Sequence, residues 1–268
     1  MVYNSIVLIT IPFLKIDEFL STLPHRVLSG EDVSLPDNVI IKILNFSELQ
    51  KNEVFYHLGC GLNNAVRIAA KHYKTKKSVG IEIRKAVASK ARNKLVGLKN
   101  CQIIHDDVRR ATISDADVLF FWFTDSKIVQ YMIKRFEKEL DNGSRIITIW
   151  SPPDLMLPTK AEFPFFMCKK PFRYAENMGD QIRAIYGNTC IDFTAAWLLA
   201  EKYIKTLEVV PGQYHRFVNI LQSMVIWINA WKSGVSCEKE IPPPVQAYVG
   251  ILRTFFNIDL SDMISQRP

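Results

Sequence analysis

A chain of 268 residues with 48% hydrophobic and 23% charged residues is long enough to bury a proper core and too balanced to be disordered. No apolar run reaches the roughly 18 residues of a membrane span; the longest, Ile6 to Leu14, is broken by Thr10 and Pro12 and lacks the flanks of a signal peptide. A cytoplasmic protein without membrane contact is expected, and the net charge of +7 admits a nucleic-acid or acidic partner without requiring one.

The five cysteines, Cys60, Cys101, Cys168, Cys190 and Cys237, are scattered without CxxC spacing. Neither a zinc site nor a disulfide framework is expected from them. His57, His72, His105 and His215 have no ligand spacing either, so no metal is assigned.

Residues 1–36 read as a lead-in. Val39, Ile40, Ile43 and Leu44 then recur at helical spacing behind Pro36, whose missing N–H costs nothing at a helix start. From Glu53 strands and helices alternate: Val54 to Leu58, Ala65 to Tyr73, Ser78 to Ile83, Ala86 to Leu98, Cys101 to Ile104, Val118 to Phe123, Ile128 to Leu140 and Arg145 to Trp150. Such alternation implies an α/β domain with a mainly parallel sheet and helices on both faces. Beyond a Pro-containing loop at Ser151 to Lys160, Phe163 to Lys169 and Gln181 to Tyr186 are expected to pair as closing antiparallel strands. The remainder reads as helical: Phe193 to Leu207 behind an Asp192 N-cap, Tyr214 to Trp231, and Val245 to Phe256. In the second of these, the stripe Phe217, Leu221, Val225 and Ile228 is expected to pack on the sheet domain, while Ile220 and Trp227 hint at a buried helix or a dimer contact.

Three strand ends carry the chemistry. In Tyr56-His57-Leu58-Gly59-Cys60-Gly61-Leu62-Asn63-Asn64, the two glycines let the backbone turn sharply and approach a ligand, and the next helix offers free N–H groups. In Val79-Gly80-Ile81-Glu82-Ile83, Glu82 stands at a strand end from which a carboxylate accepts ribose hydroxyls, 23 positions after Gly59. In Ile104-His105-Asp106-Asp107-Val108, an acidic side chain can receive an adenine amine.

With LPDNVIIKIL ahead of them, the segments VFYHLGCG, SVGIEI and IIHDDV resemble class I methyltransferases over roughly Pro36 to Ile149, and more narrowly the archaeal SET-independent protein-lysine methyltransferases. The resemblance implies a Rossmann-like seven-stranded sheet over residues 37–187, a helical region over 188–268, and S-adenosylmethionine as cofactor. It also implies that Gly59, Cys60 and Gly61 line the methionine and ribose part, Glu82 holds the ribose, Asp107, beside Asp106, holds the adenine, and Asp37 covers the site. Two positions depart from the family: its acid before LGCG is His57, and its third loop glycine is Asn63. Asparagine tolerates a left-handed backbone, whereas a neutral imidazole supplies no carboxylate for the cofactor's ammonium end. A dinucleotide fingerprint wants glycine where Asn64 stands, which favours S-adenosylmethionine over NAD.

By the same resemblance the end of the strand Val118 to Asp125 places Trp122, Phe123 and Asp125 beside the methyl acceptor, with Trp150 as a further aromatic wall. Direct displacement needs a positioned amine and excluded water rather than covalent help. Ser151-Pro152-Pro153-Asp154 looks like the SPPx signature of enzymes that methylate amino groups on bases or glutamine, but it follows the fifth strand rather than the fourth and reads as a loop.

The expected activity is methyl transfer to a protein lysine amine. A non-catalytic binding or assembly protein on the same scaffold, and an RNA or small-molecule methyltransferase, remain as alternatives. Nucleic acid, if bound, is expected at the basic loops Arg109 with Arg110 and Lys169 with Lys170, and self-association at the C-terminal helices.

Overall fold

The computed structural model describes residues 35–62, 64–123, 125–257 and 259–265, so Asn63 and nearly all of the N-terminal lead-in lie outside the described residues. Helix α1 (Asp37–Phe46) leads into strand β1 (Val54–Leu58), helix α2 (Ala65–His72), β2 (Lys77–Glu82), α3 (Lys85–Asn93) and β3 (Cys101–His105). After β4 (Val118–Phe121), α4 (Ser126–Glu139) and β5 (Arg145–Ile149) come four short strands, β6 (Met156–Leu157), β7 (Lys160–Glu162), β8 (Phe165–Lys169) and β9 (Arg173–Tyr174). The described chain ends in helices α5 (Met178–Tyr186), α6 (Phe193–Leu207), α7 (His215–Lys232), α8 (Pro243–Phe256) and α9 (Ser261–Ser265).

Seven strands form one sheet in the order β3-β2-β1-β4-β5-β8-β7. β1 to β5 run parallel, and β8 lies antiparallel to both β5 and β7. The chain reverses direction across the sheet between β1 and β4, the switch point at whose carboxyl end α/β sheets hold ligands. β1 is buried along its whole length because both its faces are covered. Phe55 packs with Val39, Ile40, Ile43 and Leu44 of α1 and Ile68 of α2. On the opposite face Tyr56 and Leu58 pack with Met132 and Phe136 of α4. The stripe of Val39, Ile40, Ile43 and Leu44 expected from spacing is thus the one that covers this first face of the sheet.

Three expectations are corrected. Phe165–Lys169 is the closing strand, but its partner is Lys160–Glu162, and residues 181–186 lie in helix α5. The physical reason is local: Asn177 caps that helix by accepting from the Asp180 N–H at 3.0 Å, and Gly187 ends it at φ 75°. In α7, Val225 is 46% exposed and Trp227 is fully buried, so the stripe through Val225 is not the packed face. The helix packs instead with Ala196 and Ala200 of α6 and Val245 and Val249 of α8, a core of its own beside the sheet.

The third correction concerns the cysteines, because Cys190 and Cys237 form a disulfide across 47 residues. Backbone bonds from Ile191 N–H to the Val235 carbonyl and from Cys237 N–H to the Ile191 carbonyl bring the two segments together. Such a pairing depends on tertiary proximity, which irregular spacing does not reveal. Among the described residues, no helix is long and apolar enough to cross a membrane, and no cluster of His, Cys, Asp and Glu is arranged to hold a metal ion.

Candidate functional site

The glycine loop leaves β1 at the switch point. Gly59 and Gly61 take φ of 70° and 53°, conformations that a side-chain-bearing residue adopts only with strain. A Cβ at Gly59 would stand 2.8 Å from the Phe123 ring, so glycine there lets the aromatic ring lie against the backbone. At Gly61 a Cβ would meet open space, which leaves the conformation as the reason for glycine. The loop is tied down by Cys60 N–H donating to the Ile81 carbonyl at 2.8 Å and Gly61 N–H donating to Glu82 Oε2 at 2.9 Å.

Glu82 is buried, at 3% exposure, and its other oxygen accepts from Arg84 N–H at 2.9 Å and Arg84 Nε at 3.0 Å. Each carboxylate oxygen has two lone pairs, so Oε1 is fully used by Arg84 while Oε2 retains one for a ligand hydroxyl. Asp37 connects α1 to the start of α2 by accepting from Asn64 Nδ2 and Arg67 Nη2, each at 2.9 Å. Among the sequence candidates, the structure brings together Asp37, Gly59, Gly61, Glu82 and Phe123 around this loop.

His57 faces the α1 side of β1, stacked on Phe120 with ring centroids 4.6 Å apart. Burial lowers its pKa from 6.5 to about 3, so the ring is neutral, and its Nδ1 has no hydrogen-bond partner. An unpaired buried nitrogen costs stability, a cost that a bound donor would relieve.

Cys60 contributes backbone and not side chain to the loop. Its thiol is buried among Val66, Ala88, Ala91 and Ile103, and burial, with Glu82 nearby, pushes its pKa up to about 12. A thiolate nucleophile is therefore excluded at neutral pH. Gly80 is the unforeseen residue here: a Cβ on it would sit 2.6 Å from the Cys60 sulfur. The close approach of β2 to the loop depends on that absence.

Asp106 and Asp107 follow β3 as expected, but each is held by a neighbour. Arg109 bonds both oxygens of Asp107, holding its carboxyl below the usual range, and Arg110 donates to Asp106 Oδ1 at 2.9 Å. The basic pair expected to meet nucleic acid is thus engaged within its own loop. Lys170 is engaged too, donating to the carbonyls of Glu137 and Leu140 at the end of α4. These pairings were foreshadowed only by the i, i+2 and i, i+4 spacing of opposite charges.

On the acceptor side, Phe123 stacks on Phe121 at 5.0 Å, and Trp122 packs against the α1 face of the sheet. Asp125 caps α4, its Oδ1 accepting from Lys127 N–H at 2.8 Å and Ile128 N–H at 3.1 Å. That oxygen serves the helix as its N-cap acceptor. Trp150 does not join the aromatic wall: it packs edge-on against Tyr203 of α6 at 4.9 Å, joining the sheet to the C-terminal helices. Ser151-Pro152-Pro153 follows β5, with the Ser151 carbonyl accepting from Thr148 Oγ1 at 2.7 Å, and is a structural loop. His105 bonds the Ile83 carbonyl at 3.1 Å and joins the ends of β2 and β3.

The sheet order, the left-handed glycine loop at the switch point and the buried acid ending β2 define a nucleotide-type cofactor site of the class I methyltransferase kind. A family model described as histone methylation protein DOT1 matches residues 31–154. A protein-lysine N-methyltransferase of Saccharolobus islandicus (strain REY15A) is 29% identical over 149 residues, covering 51% of this chain and 88% of the relative. The structure of an RNA methyltransferase from Salinibacter ruber in complex with S-adenosyl-L-homocysteine aligns at 22% identity and a TM-score of 0.49, covering 55% of this chain and 99% of that one. An S-adenosylmethionine-dependent methyltransferase from Clostridium acetobutylicum ATCC 824 aligns at 19% identity and a TM-score of 0.37, covering 50% and 56%. The chain is a class I S-adenosylmethionine-dependent methyltransferase.

Proposed function

We propose that the enzyme, in a cytoplasmic setting, methylates lysine side chains of a protein substrate. The observation that carries this reading is the relative named as a protein-lysine N-methyltransferase, which covers 51% of this chain. Residues 37–187 would form the catalytic domain, and residues 188–268 a helical region that positions the substrate or a second copy of the chain. Its exposed Leu198 and Ile251 are compatible with such contacts.

The residues around the loop fit the cofactor. Gly61 is free of neighbours on its open side, Glu82 is buried with a lone pair to spare on Oε2, and the orphaned His57 Nδ1 awaits a donor. Glu82 would accept from the ribose hydroxyls, Asp107 from the adenine amine, and the Gly59–Gly61 backbone would lie along the methionine arm. Neutral His57 would offer its free nitrogen to the ammonium end in place of a carboxylate. When bound, S-adenosylmethionine supplies an electrophilic methyl group.

The chain's task is then to deliver a neutral amine in line with it. Trp122 and Phe123 would wall the lysine and exclude water, and burial of a lysine ammonium lowers its pKa toward the neutral, nucleophilic form. Asp125 would act at one remove, by fixing the start of α4. A non-catalytic reading draws on the same His57, since a site that lacks the family's acid can bind cofactor without turning over.

The test is methyl incorporation from labelled S-adenosylmethionine into cell-extract protein and RNA, followed by mass spectrometry of the labelled residue. Label on lysine is the expected result. Label on RNA, or cofactor binding without transfer, overturns it. Glu82→Ala should weaken cofactor binding by about 1–3 kcal/mol in calorimetry, as for lost bonds to a charged group. Unchanged affinity would remove Glu82 from the site.

A further inference from the structure

Charge is distributed unevenly along this chain. Residues 71–99 hold ten Lys and Arg and a single acid, Glu82, a net charge of +9 against +7 for the whole protein. The other 239 residues therefore carry a net −2. Glu82 is buried in the cofactor loop, so it does not offset this charge at the surface. Lys77 pairs with Asp115 and Arg84 with Glu82. Lys71, Lys74, Lys76, Lys85, Lys90 and Lys99 are exposed and, among the described residues, have no carboxylate partner.

The tertiary structure gathers these lysines along one edge. Asn100 Nδ2 donates to the Thr75 carbonyl, and Ser78 N–H to the Asn100 carbonyl, both at 2.8 Å, which fastens the segment of Lys74 and Lys76 to that of Lys99. Lys71 lies close enough to Cys101, the first residue of β3, to act on its thiol electrostatically. These four lysines stand at the amino ends of β2 and β3, opposite Glu82. Helix α3 packs Ala88 and Ala91 inward beside the edge strand and exposes Lys85 in its first turn, at the cofactor end, and Lys90 in its last turn, nearer the amino ends of the strands.

We infer that this edge binds the phosphate backbone of double-stranded nucleic acid. Unpaired lysines are mobile point charges suited to phosphates, and their release of counterions drives binding without sequence preference. A single strand would call for exposed aromatic rings on which bases stack. In this region Tyr73, the one aromatic residue, is half-buried with its hydroxyl bonded to Asn45 and Ile41 of α1. The edge carries the charge of a nucleic-acid surface without the stacking platform, which favours a duplex.

The test is fluorescence anisotropy of the full chain with a labelled 20-base-pair DNA duplex across a salt series. Neutralising about four phosphates predicts a logarithmic salt slope of about −3.6 and roughly a 150-fold loss of affinity between 50 and 200 mM salt. Lys71→Glu, Lys74→Glu, Lys76→Glu and Lys99→Glu together should abolish measurable binding. The milder set of four Lys→Gln changes should flatten the slope by about 3.6, since each phosphate contact contributes about 0.9. Calorimetry with S-adenosylmethionine reports that either variant is folded. Reversing Lys134, Lys138, Lys202 and Lys232, exposed elsewhere, makes the same change in net charge and should leave most of the affinity. Equal loss in both sets, unchanged binding in the folded glutamine variant, or stronger competition by single-stranded DNA or polyglutamate than by the duplex would overturn the inference.

Discussion

In the sheet half of the molecule a buried carboxylate, Glu82, turns toward a loop that a ligand would touch; in the helical half the carboxylate of Glu238 turns toward the helices' own donors. Glu82 accepts from Gly61 N–H of the glycine loop, and His57 keeps a buried nitrogen with no protein partner. In the helical half, Glu238 accepts from Trp227 Nε1 at 3.0 Å, Phe193 N–H at 2.8 Å and Ser236 Oγ at 2.7 Å, and Trp231 Nε1 donates to the Ile264 carbonyl. Asn219 Oδ1 in α7 and Arg145 Nε in β5 are also buried without a partner, so the difference between the halves lies in where Glu82 and Glu238 are aimed. The sheet half leaves an unmet bond at its switch point, at a cost in stability that a bound cofactor can offset.

The sharpest way to break this comparison is to empty the helical core. Trp227 is fully buried and stacked on Trp231, so Trp227→Ala should cost about 3–5 kcal/mol of stability in denaturant unfolding. If the halves are as separate as their cores imply, S-adenosylmethionine should still bind the folded fraction with its original affinity. Loss of cofactor binding before the helices unfold would show that the helices hold the site together.

A second test uses acid. His57 stays neutral in the folded protein down to about pH 3, whereas in the unfolded chain it takes up a proton near its ordinary 6.5. Between those values the unfolded state binds more protons, so its contribution to stability is complete above pH 6.5 and declines as pH falls, levelling off below about 3. The expected slope is about 1.4 kcal/mol per pH unit. Unfolding at pH 7.5 and 5.5, above the range of ordinary carboxylates, should show a loss that His57→Phe removes. An identical loss in that variant would assign the effect to another group. Cofactor binding should also counteract the loss, if the free nitrogen is what it meets.

The smallest effect is expected at Asp125. Its removal as Asp125→Ala should cost about 1 kcal/mol in thermal unfolding, whereas Asp125→Ser retains a cap and should lose only a few tenths. Equal losses in the two variants would argue that the carboxylate has work beyond the cap.

Much of the catalytic half was legible before any coordinates, because its signals are local. A parallel strand buried on both faces reads as a short apolar run, as in Val54 to Leu58, and a covering helix reads as apolar residues three and four apart, as in Val39 to Leu44. Glycines in left-handed turns and an acid at a strand end mark a site within a few residues of themselves, and Gly59, Gly61 and Glu82 met at one loop as their spacing implied.

The rest was decided by contacts between segments distant in sequence. Helix α5 occupies residues that read equally well as a strand, and only its cap and the nearer partner Lys160–Glu162 settled the sheet's edge. Cys190 and Cys237 met across 47 residues, Trp150 turned from the presumed acceptor wall to Tyr203, and Val225 gave way to Trp227 as the buried residue of α7. By itself the sequence determined the periodicities, the strand-end chemistry and the concentration of positive charge. Tertiary structure decided which charges were neutralised by neighbours and which stayed at the surface, because an ion pair depends on distance in space, which composition does not report.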